Sequence, residues 1–229
     1  MCAAATDRSR LRRRERASRI AGLYAVTPDS GDTADLVARV AAAIAGGAAT
    51  IQYRHKAAAE PLRRAQALAL RAHPATRDAL FVVNDDVALA AEVAADGVHL
   101  GEDDADPVVA RALLGEDAII GVSCYNDFAR AEAMAAAGAD YVAFGSFYGS
   151  SVKPAARRAG IELLERGRGL GVPVIAIGGI TIDNAPRLIR AGADAVAVIT
   201  ALFGARDSAG VQAAARSFCS AIAGARKAP

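Results

Sequence analysis

Gln52, Arg54, Lys56, Asn84, Asp85, Asp104 and Lys153 have the side-chain types needed to hold a polyanion and a counter-cation. Asp85 and Asp104 offer hard carboxylate oxygens with no Cys or His pair nearby. Such a donor set suits Mg²⁺, which takes one or two protein carboxylates and fills its other positions with water and phosphate oxygens. Acidic residues at loop ends also cap helices, which is the role expected of Asp86 and Asp103; for Asp85 and Asp104 both roles stay open. Arg54 and Lys56 alternate with Tyr53 and His55, so Gln52, Arg54 and Lys56 can share one side of an extended segment. Two cations gathered there are costly to bury without anions. Phosphate is a natural partner, met by the Arg fork and the Lys point charge, and an internal ion pair to Asp85 or another acid is the alternative.

Three further stretches could meet an anion. In Gly149–Ala155 (GSSVKPA), Lys153 with the hydroxyls of Ser150 and Ser151 could close over one, or the lysine could simply be solvated. Gly178-Gly179 and the backbone after Ile199, including Thr200, could cup a phosphate with N–H groups, or the glycines could serve only a tight turn. Nucleophilic chemistry finds little support. His99 reads as a hydrogen-bonded core residue, no histidine pair has metal-ligand spacing, Ser123 belongs to no Ser-His-Asp relay, and Cys124 has no base beside it.

These residues need a scaffold that brings them to one place. Short apolar runs predict strands over 23–27, 50–54, 80–83, 98–100, 119–123, 141–144, 174–177 and 195–199. Helical stripes lie between them: Leu36, Val37, Val40 and Ile44 after a cap at Asp32 or Thr33, and Leu62, Ala65, Leu68 and Ala69 after Pro61. Thr181 or Asp183 is expected to cap a helix with Pro186 in its first turn, and a last helix is expected over 207–223, followed by a frayed end. Ala137-Gly138-Ala139-Asp140 and Ala191-Gly192-Ala193-Asp194 repeat one helix-to-strand turn, and Ala95-Asp96-Gly97 is a looser copy. Repeated strand–helix units with short αβ turns and longer βα loops predict a single (β/α)₈ TIM barrel over residues 20–225, behind a short N-terminal extension. An open doubly wound sheet is the alternative, but it does not need so many units. In a barrel, the residues just after each strand face one mouth, and the candidates named above fall there.

Length and charge narrow the classes. A chain of 229 residues that is 53% hydrophobic suits one barrel domain. No run approaches the roughly 18 apolar residues needed to span a bilayer, and the N-terminus lacks the apolar centre of a secretory signal. Three cysteines, odd in number and far apart, suit a reducing compartment, so the cytoplasm is expected. The formal charge of +2 hides a tail at +5 over residues 1–19, where seven arginines oppose Asp7 and Glu15, which leaves the body at −3. The body is therefore not a nucleic-acid footprint, and no membrane partner is expected. The tail is expected to be a solvated or frayed helix rather than a basic arm, and its acidic residues argue against a transit peptide.

Taken in order, Gln52-Tyr53-Arg54-His55-Lys56, Asn84-Asp85-Asp86, the segment from Gly97 to Asp104, Gly121-Val122-Ser123, Gly145 through Lys153 and Ile177-Gly178-Gly179-Ile180 resemble the thiamine phosphate synthase family, over residues 20–205. The resemblance implies a (β/α)₈ transferase that joins hydroxymethylpyrimidine diphosphate to a thiazole phosphate, or its carboxylated form, releasing pyrophosphate. It implies that Gln52, Arg54, Lys56 and Asn84 hold the pyrimidine diphosphate and that Asp85 and Asp104 hold Mg²⁺. It further implies Ser123 in the pyrimidine pocket, Lys153 with Ser150 at the departing pyrophosphate, and Gly179, Ile199 and Thr200 at the thiazole phosphate. The loop departs from the family's pattern: Ser146 replaces a proline, Ser150 one threonine and Val152 another, and Val152 cannot donate a hydroxyl. A thiazole tautomerase, another phosphate-binding isomerase or epimerase, and an inert barrel that binds thiamine precursors are the competing functions. The clustered cations and acids count against the tautomerase, which needs neither diphosphate nor metal. Oligomeric state is left open.

Overall fold

A computed structural model describes residues 11–149 and 157–227. Eight parallel strands close into a barrel in chain order, as the repeats predict. They are β1 (Gly22–Val26), β2 (Thr50–Tyr53), β3 (Leu80–Asn84), β4 (Gly97–Leu100), β5 (Ile119–Tyr125), β6 (Tyr141–Gly145), β7 (Val174–Ile177) and β8 (Ala195–Val198). Helix α1 covers residues 11–17. The others are α2 (Thr33–Ala45), α3 (Glu60–Ala72), α4 (Val87–Glu92), α5 (Pro107–Leu114), α6 (Phe128–Ala136), α7 (Glu162–Gly167), α8 (Ala185–Ala191), α9 (Thr200–Phe203) and α10 (Ser208–Lys227). Among the described residues no helix is long and apolar enough to cross a membrane.

Alternate strand residues pack outward against the helices and inward against one another, so both faces are apolar. The inner cluster includes Ile20, Tyr24, Leu80, Ile119, Tyr141 and Ile175. The Tyr141 ring fits inside because a glycine faces it, and a second glycine lets β4 approach β5 closely. A Cβ on Gly121 would lie 1.9 Å from Cζ of Tyr141, and one on Gly97 would lie 1.9 Å from the Ile119 carbonyl oxygen. Gly121→Ala must therefore shift a fully buried ring in a closed barrel, at a cost of roughly 1–3 kcal/mol or more. Thermal unfolding should show a clear drop, and a wild-type midpoint would mean that the interior has slack.

The repeated turn acids have a shared task. Asp96 accepts the Phe81 N–H, Asp140 the Ile120 N–H and Asp194 the Val174 N–H, each at 2.8 Å. Each acid sits just before an even-numbered strand and pins the first part of the strand preceding it. The arginine tail is drawn into the same set. Arg13 reaches Asp140 at 2.7 Å and Arg16 reaches Asp96 at 2.5 Å, while Ala17 and Ile20 are buried at the barrel base. Residues 11–17 are helical, as expected, with Arg12, Arg14 and Glu15 exposed; the expectation of a solvated or frayed tail is corrected at Arg13 and Arg16, which carboxylates at the strand starts draw in.

Other boundaries also shift. The expected cap at Thr181 or Asp183 is not made: Asn184 occupies that place, with its Oδ1 accepting the Thr181 N–H at 2.9 Å. Helix α5 is capped by Asp106 through the Val108 N–H, where Asp103 had been expected to cap. Helix α10 continues to Lys227, with Arg226 donating to the Asp194 carbonyl at 2.6 Å, so this end is anchored. Strand β5 runs on to Tyr125 through an irregularity between Ser123 and Tyr125 that re-aims the side chains at the mouth.

Candidate active site

At the end of β2 the three candidates separate. Gln52 points into the barrel and is 4% exposed, with its Nε2 donating to the Tyr24 hydroxyl at 2.9 Å. The chain then turns: Thr27 accepts the Arg54 N–H at 2.8 Å and donates its hydroxyl to the Arg54 carbonyl at 2.9 Å. From there Arg54 lies 3.5 Å from Asp29, after β1, and Lys56 lies 2.9 Å from Asp85, after β3. The expectation that Gln52, Arg54 and Lys56 share one side is corrected, because each cation follows a different neighbouring acid. Asp29, which also accepts the Lys56 N–H at 3.1 Å, escaped the sequence-based list. It reads there as an ordinary turn residue, and only its place after β1 could have marked it.

Asn84 closes β3 in register with His99. Asp85 then takes a left-handed φ of 64°, and its N–H donates to the His99 carbonyl at 2.8 Å. That conformation is uncommon for a residue with a side chain and is held by the surrounding turn. Asp104 comes from the loop after β4, where its Oδ2 accepts the Gly101 N–H at 2.6 Å. Burial holds the Asp104 carboxyl above its usual range, and so does a hydrogen bond to Asp85 with the charge behind it; the Gly101 N–H and Lys56 oppose the shift. Asp86 plays the capping part expected of it, accepting the Leu89 N–H at 2.9 Å.

Two carboxylates from adjacent strand ends thus meet at one point, an arrangement relieved by a cation between them. Among the described residues no cluster of three or more His, Cys, Asp or Glu side chains could hold a metal. The pair fits a hard ion that keeps its remaining positions for water and phosphate, as Mg²⁺ does, and fits Zn²⁺ poorly. Beside it opens a cavity of about 250 Å³ lined by Tyr53, His55, Lys56, Arg63, Asn84 and Asp85, among others. Arg63 is a further cation that the sequence patterns did not single out. Its Nε is buried with no hydrogen-bond partner among the described residues, and its Nη2 stands 3.9 Å from Asp86.

A second cavity of about 240 Å³ is lined by Pro28, Asp29, Arg54, Ile199, Thr200 and Phe203, among others. Ile199 and Thr200 are therefore brought to Arg54. Gly179 is not among the residues lining it. Gly178 and Gly179, with φ of 108° and 61°, instead receive the loop after β6: a Cβ would lie 2.1 Å from Ser146 Oγ at the first and 2.2 Å from the Gly149 carbonyl at the second. Close backbone approach is the observed use of the pair. Ser150, Val152 and Lys153 lie outside the described residues.

Ser123 stands on β5 with its Oγ 2.9 Å from His99 Nε2, and its carbonyl accepts from Arg130 Nε at 3.0 Å. His99 Nδ1 is 3.0 Å from the Tyr141 hydroxyl, which is 2.8 Å from that of Tyr24. Cys124 is buried, and burial pushes its thiol up to about 12, so it is no nucleophile near neutrality.

The description thiamine monophosphate synthase belongs to a family model that matches residues 23–202. The thiamine-phosphate synthase of an Azoarcus species is 56% identical over 191 residues, which cover 82% of this chain and 92% of that protein. The one from Methylobacillus flagellatus is 53% identical over 199 residues, covering 87% of this chain and 94% of its own. Among solved structures, thiamine phosphate pyrophosphorylase from Pyrococcus furiosus superposes with a TM-score of 0.78 at 34% identity, covering 91% of this chain and 98% of the other.

Proposed function

Because the chain belongs to the thiamine monophosphate synthase family and is a transferase of that kind, we propose that it joins hydroxymethylpyrimidine diphosphate to a thiazole phosphate, or its carboxylated form, with Mg²⁺. The carrying observation is the Asp85–Asp104 carboxylate pair with Lys56 on Asp85, next to a cavity that Arg63 also lines. Asp85 and Asp104 would hold Mg²⁺, whose chemistry there is to neutralise charge on the diphosphate.

Gln52, Arg54, Lys56 and Asn84 hold the pyrimidine diphosphate in this proposal, and Ser123 lines the pyrimidine pocket. The C–O bond between the pyrimidine methylene and the diphosphate breaks, with the electron pair leaving on pyrophosphate. Arg54, Lys56 and Lys153, with Ser150, stabilise that growing charge. The electron-rich aminopyrimidine carries the positive charge left on the methylene, so the path is dissociative and carbocation-like. The thiazole nitrogen then forms the new C–N bond, and no covalent enzyme intermediate is needed. Gly179, Ile199 and Thr200 hold the thiazole phosphate; for the last two the support is their shared cavity with Arg54.

The test supplies both phosphorylated precursors, with and without Mg²⁺, and follows pyrophosphate. Release that needs both Mg²⁺ and the pyrimidine diphosphate, matched by thiamine phosphate formed, is expected. Conversion of a thiazole phosphate alone, with no pyrophosphate released, would point to a tautomerase. No turnover of either would leave a barrel that only binds these precursors.

A further inference from the structure

The barrel interior holds a continuous hydrogen-bonded chain of five side chains: Gln52, Tyr24, Tyr141, His99 and Ser123. Its links measure 2.9, 2.8, 3.0 and 2.9 Å in that order. It crosses from β2 to β5 through β1, β6 and β4, beneath the mouth, and its two ends are residues placed above at the pyrimidine diphosphate.

The direction of such a chain follows from its proton count. A phenol has one O–H to give, and a neutral imidazole has one N–H and one acceptor nitrogen. Gln52 Nε2 can only donate, so Tyr24 accepts there and gives its own proton to Tyr141. Tyr141, which the Gln52 amide also reaches, has then only accepted and gives its proton to His99 Nδ1. That nitrogen is an acceptor, so the imidazole proton sits on Nε2 and goes to Ser123 Oγ. Every link is satisfied in this arrangement, and the Ser123 hydroxyl proton is left to point at the mouth. Both phenols are fully buried, and burial raises each above its ordinary range, so each keeps its proton and the count holds.

The packing shows that the interior is shaped around this chain. Gly121 leaves room for the Tyr141 ring, and His99 stacks on that ring with centroids 5.5 Å apart and planes 22° apart. A Leu or Phe at either tyrosine position would fill similar space without a hydroxyl. Rings whose only polar atoms are used in a chain between two ligand-facing groups are placed for more than filling.

We infer that Tyr24, Tyr141 and His99 are positioning residues that fix the polarity of Ser123, so that it meets the pyrimidine substrate as a hydrogen-bond donor and acts jointly with Gln52. The inference rests on the proposed function for the identity of that substrate, whereas the direction of the chain does not. Reversal of the Gln52 amide would reverse every bond in turn and present Ser123 as an acceptor, so the two ends cannot be set independently.

Two measurements separate the parts. The ¹⁵N spectrum of the protein without substrate, labelled in its histidines, reports which imidazole nitrogen of His99 bears hydrogen; the His99 signals are those lost in His99→Asn. Hydrogen on Nε2 with a bare Nδ1 is expected. Hydrogen on Nδ1, alone or with Nε2, would overturn the stated direction whatever the enzyme's substrate. The second measurement is kinetic, in variants checked for wild-type thermal unfolding and circular dichroism. Tyr24→Phe and Tyr141→Phe should each lower kcat/KM for the pyrimidine diphosphate by about tenfold and leave KM for the thiazole phosphate unchanged. Ser123→Ala should cost markedly less in the Tyr141→Phe background than in the wild type. Losses that add, or that fall equally on both substrates, would reduce the tyrosines to core packing. An inactive wild type would count against the proposed function alone, because the ¹⁵N result would still decide the chain's direction.

Discussion

Asp104→Asn is expected to lower Mg²⁺-supported turnover by on the order of a hundredfold, equivalent to ~3 kcal/mol of lost charge stabilisation. The substitution keeps an oxygen able to accept the Gly101 N–H, so the loop after β4 should hold its shape. What it removes is one of the two charges that meet beside Lys56. Asp103→Asn, one residue away, should leave turnover within about twofold, as surface changes away from special contacts usually do. Steady-state pyrophosphate release across a range of Mg²⁺ concentrations checks both. Wild-type turnover in Asp104→Asn would remove that residue from any metal site.

A second large effect lies at the other end of the barrel. Asp140 is 7% exposed and receives Arg13 at 2.7 Å, Arg111 at 2.5 Å and the Ile120 N–H at 2.8 Å. Asp140→Ala would leave one strand amide unpaired and take the shared carboxylate from two largely buried guanidinium groups, leaving Arg13 with Glu116 and Arg111 with the Ala118 and Gly138 carbonyls. Breaking a buried pair from one side costs about 3 kcal/mol or more. For a chain of this length that is a fall in Tm of roughly 10 °C. Turnover per folded molecule should stay within a few-fold, since the mouth is at the opposite end. A calorimetric midpoint within a degree or two of wild type would mean that the arginines' remaining partners suffice and that the acid is not a fastening point.

These two acids show where sequence is informative and where it stops. The strands were legible because doubly buried strands have little choice but Val, Ile and Ala: Val174–Ile177 is found where its pattern places it. The Asp-before-strand repeat was equally legible as punctuation. Its function was not, because the amide that each carboxylate pins belongs to the preceding strand, some twenty residues or fewer back, and nothing local marks that partner. The same limit applies to the tail. Arg13 and Asp140 are 127 residues apart, so a run of arginines reads as solvated until closure of the barrel sets acids beneath it.

At the mouth, Asp85 and Asp104 could be paired on paper because their strands are neighbours. Arg54 and Lys56 were misplaced because strand alternation ends at Tyr53, and beyond it side chains follow nearby charge rather than the pleat. Tyr24 and Tyr141 were invisible as a pair for a topological reason: their strands are not adjacent, and only the closed interior brings 117 residues of separation down to 2.8 Å.

In the proposed function, Asp85 and Asp104 share one divalent cation with a diphosphate. Titration of Mn²⁺ in place of Mg²⁺, with free Mn²⁺ read by electron paramagnetic resonance in the presence of pyrophosphate, tests it without requiring turnover. One Mn²⁺ per chain should bind to the wild type, and its affinity should fall more than tenfold in both Asp85→Asn and Asp104→Asn. Equal affinity in the wild type and both variants would place the metal, and with it the diphosphate, somewhere else.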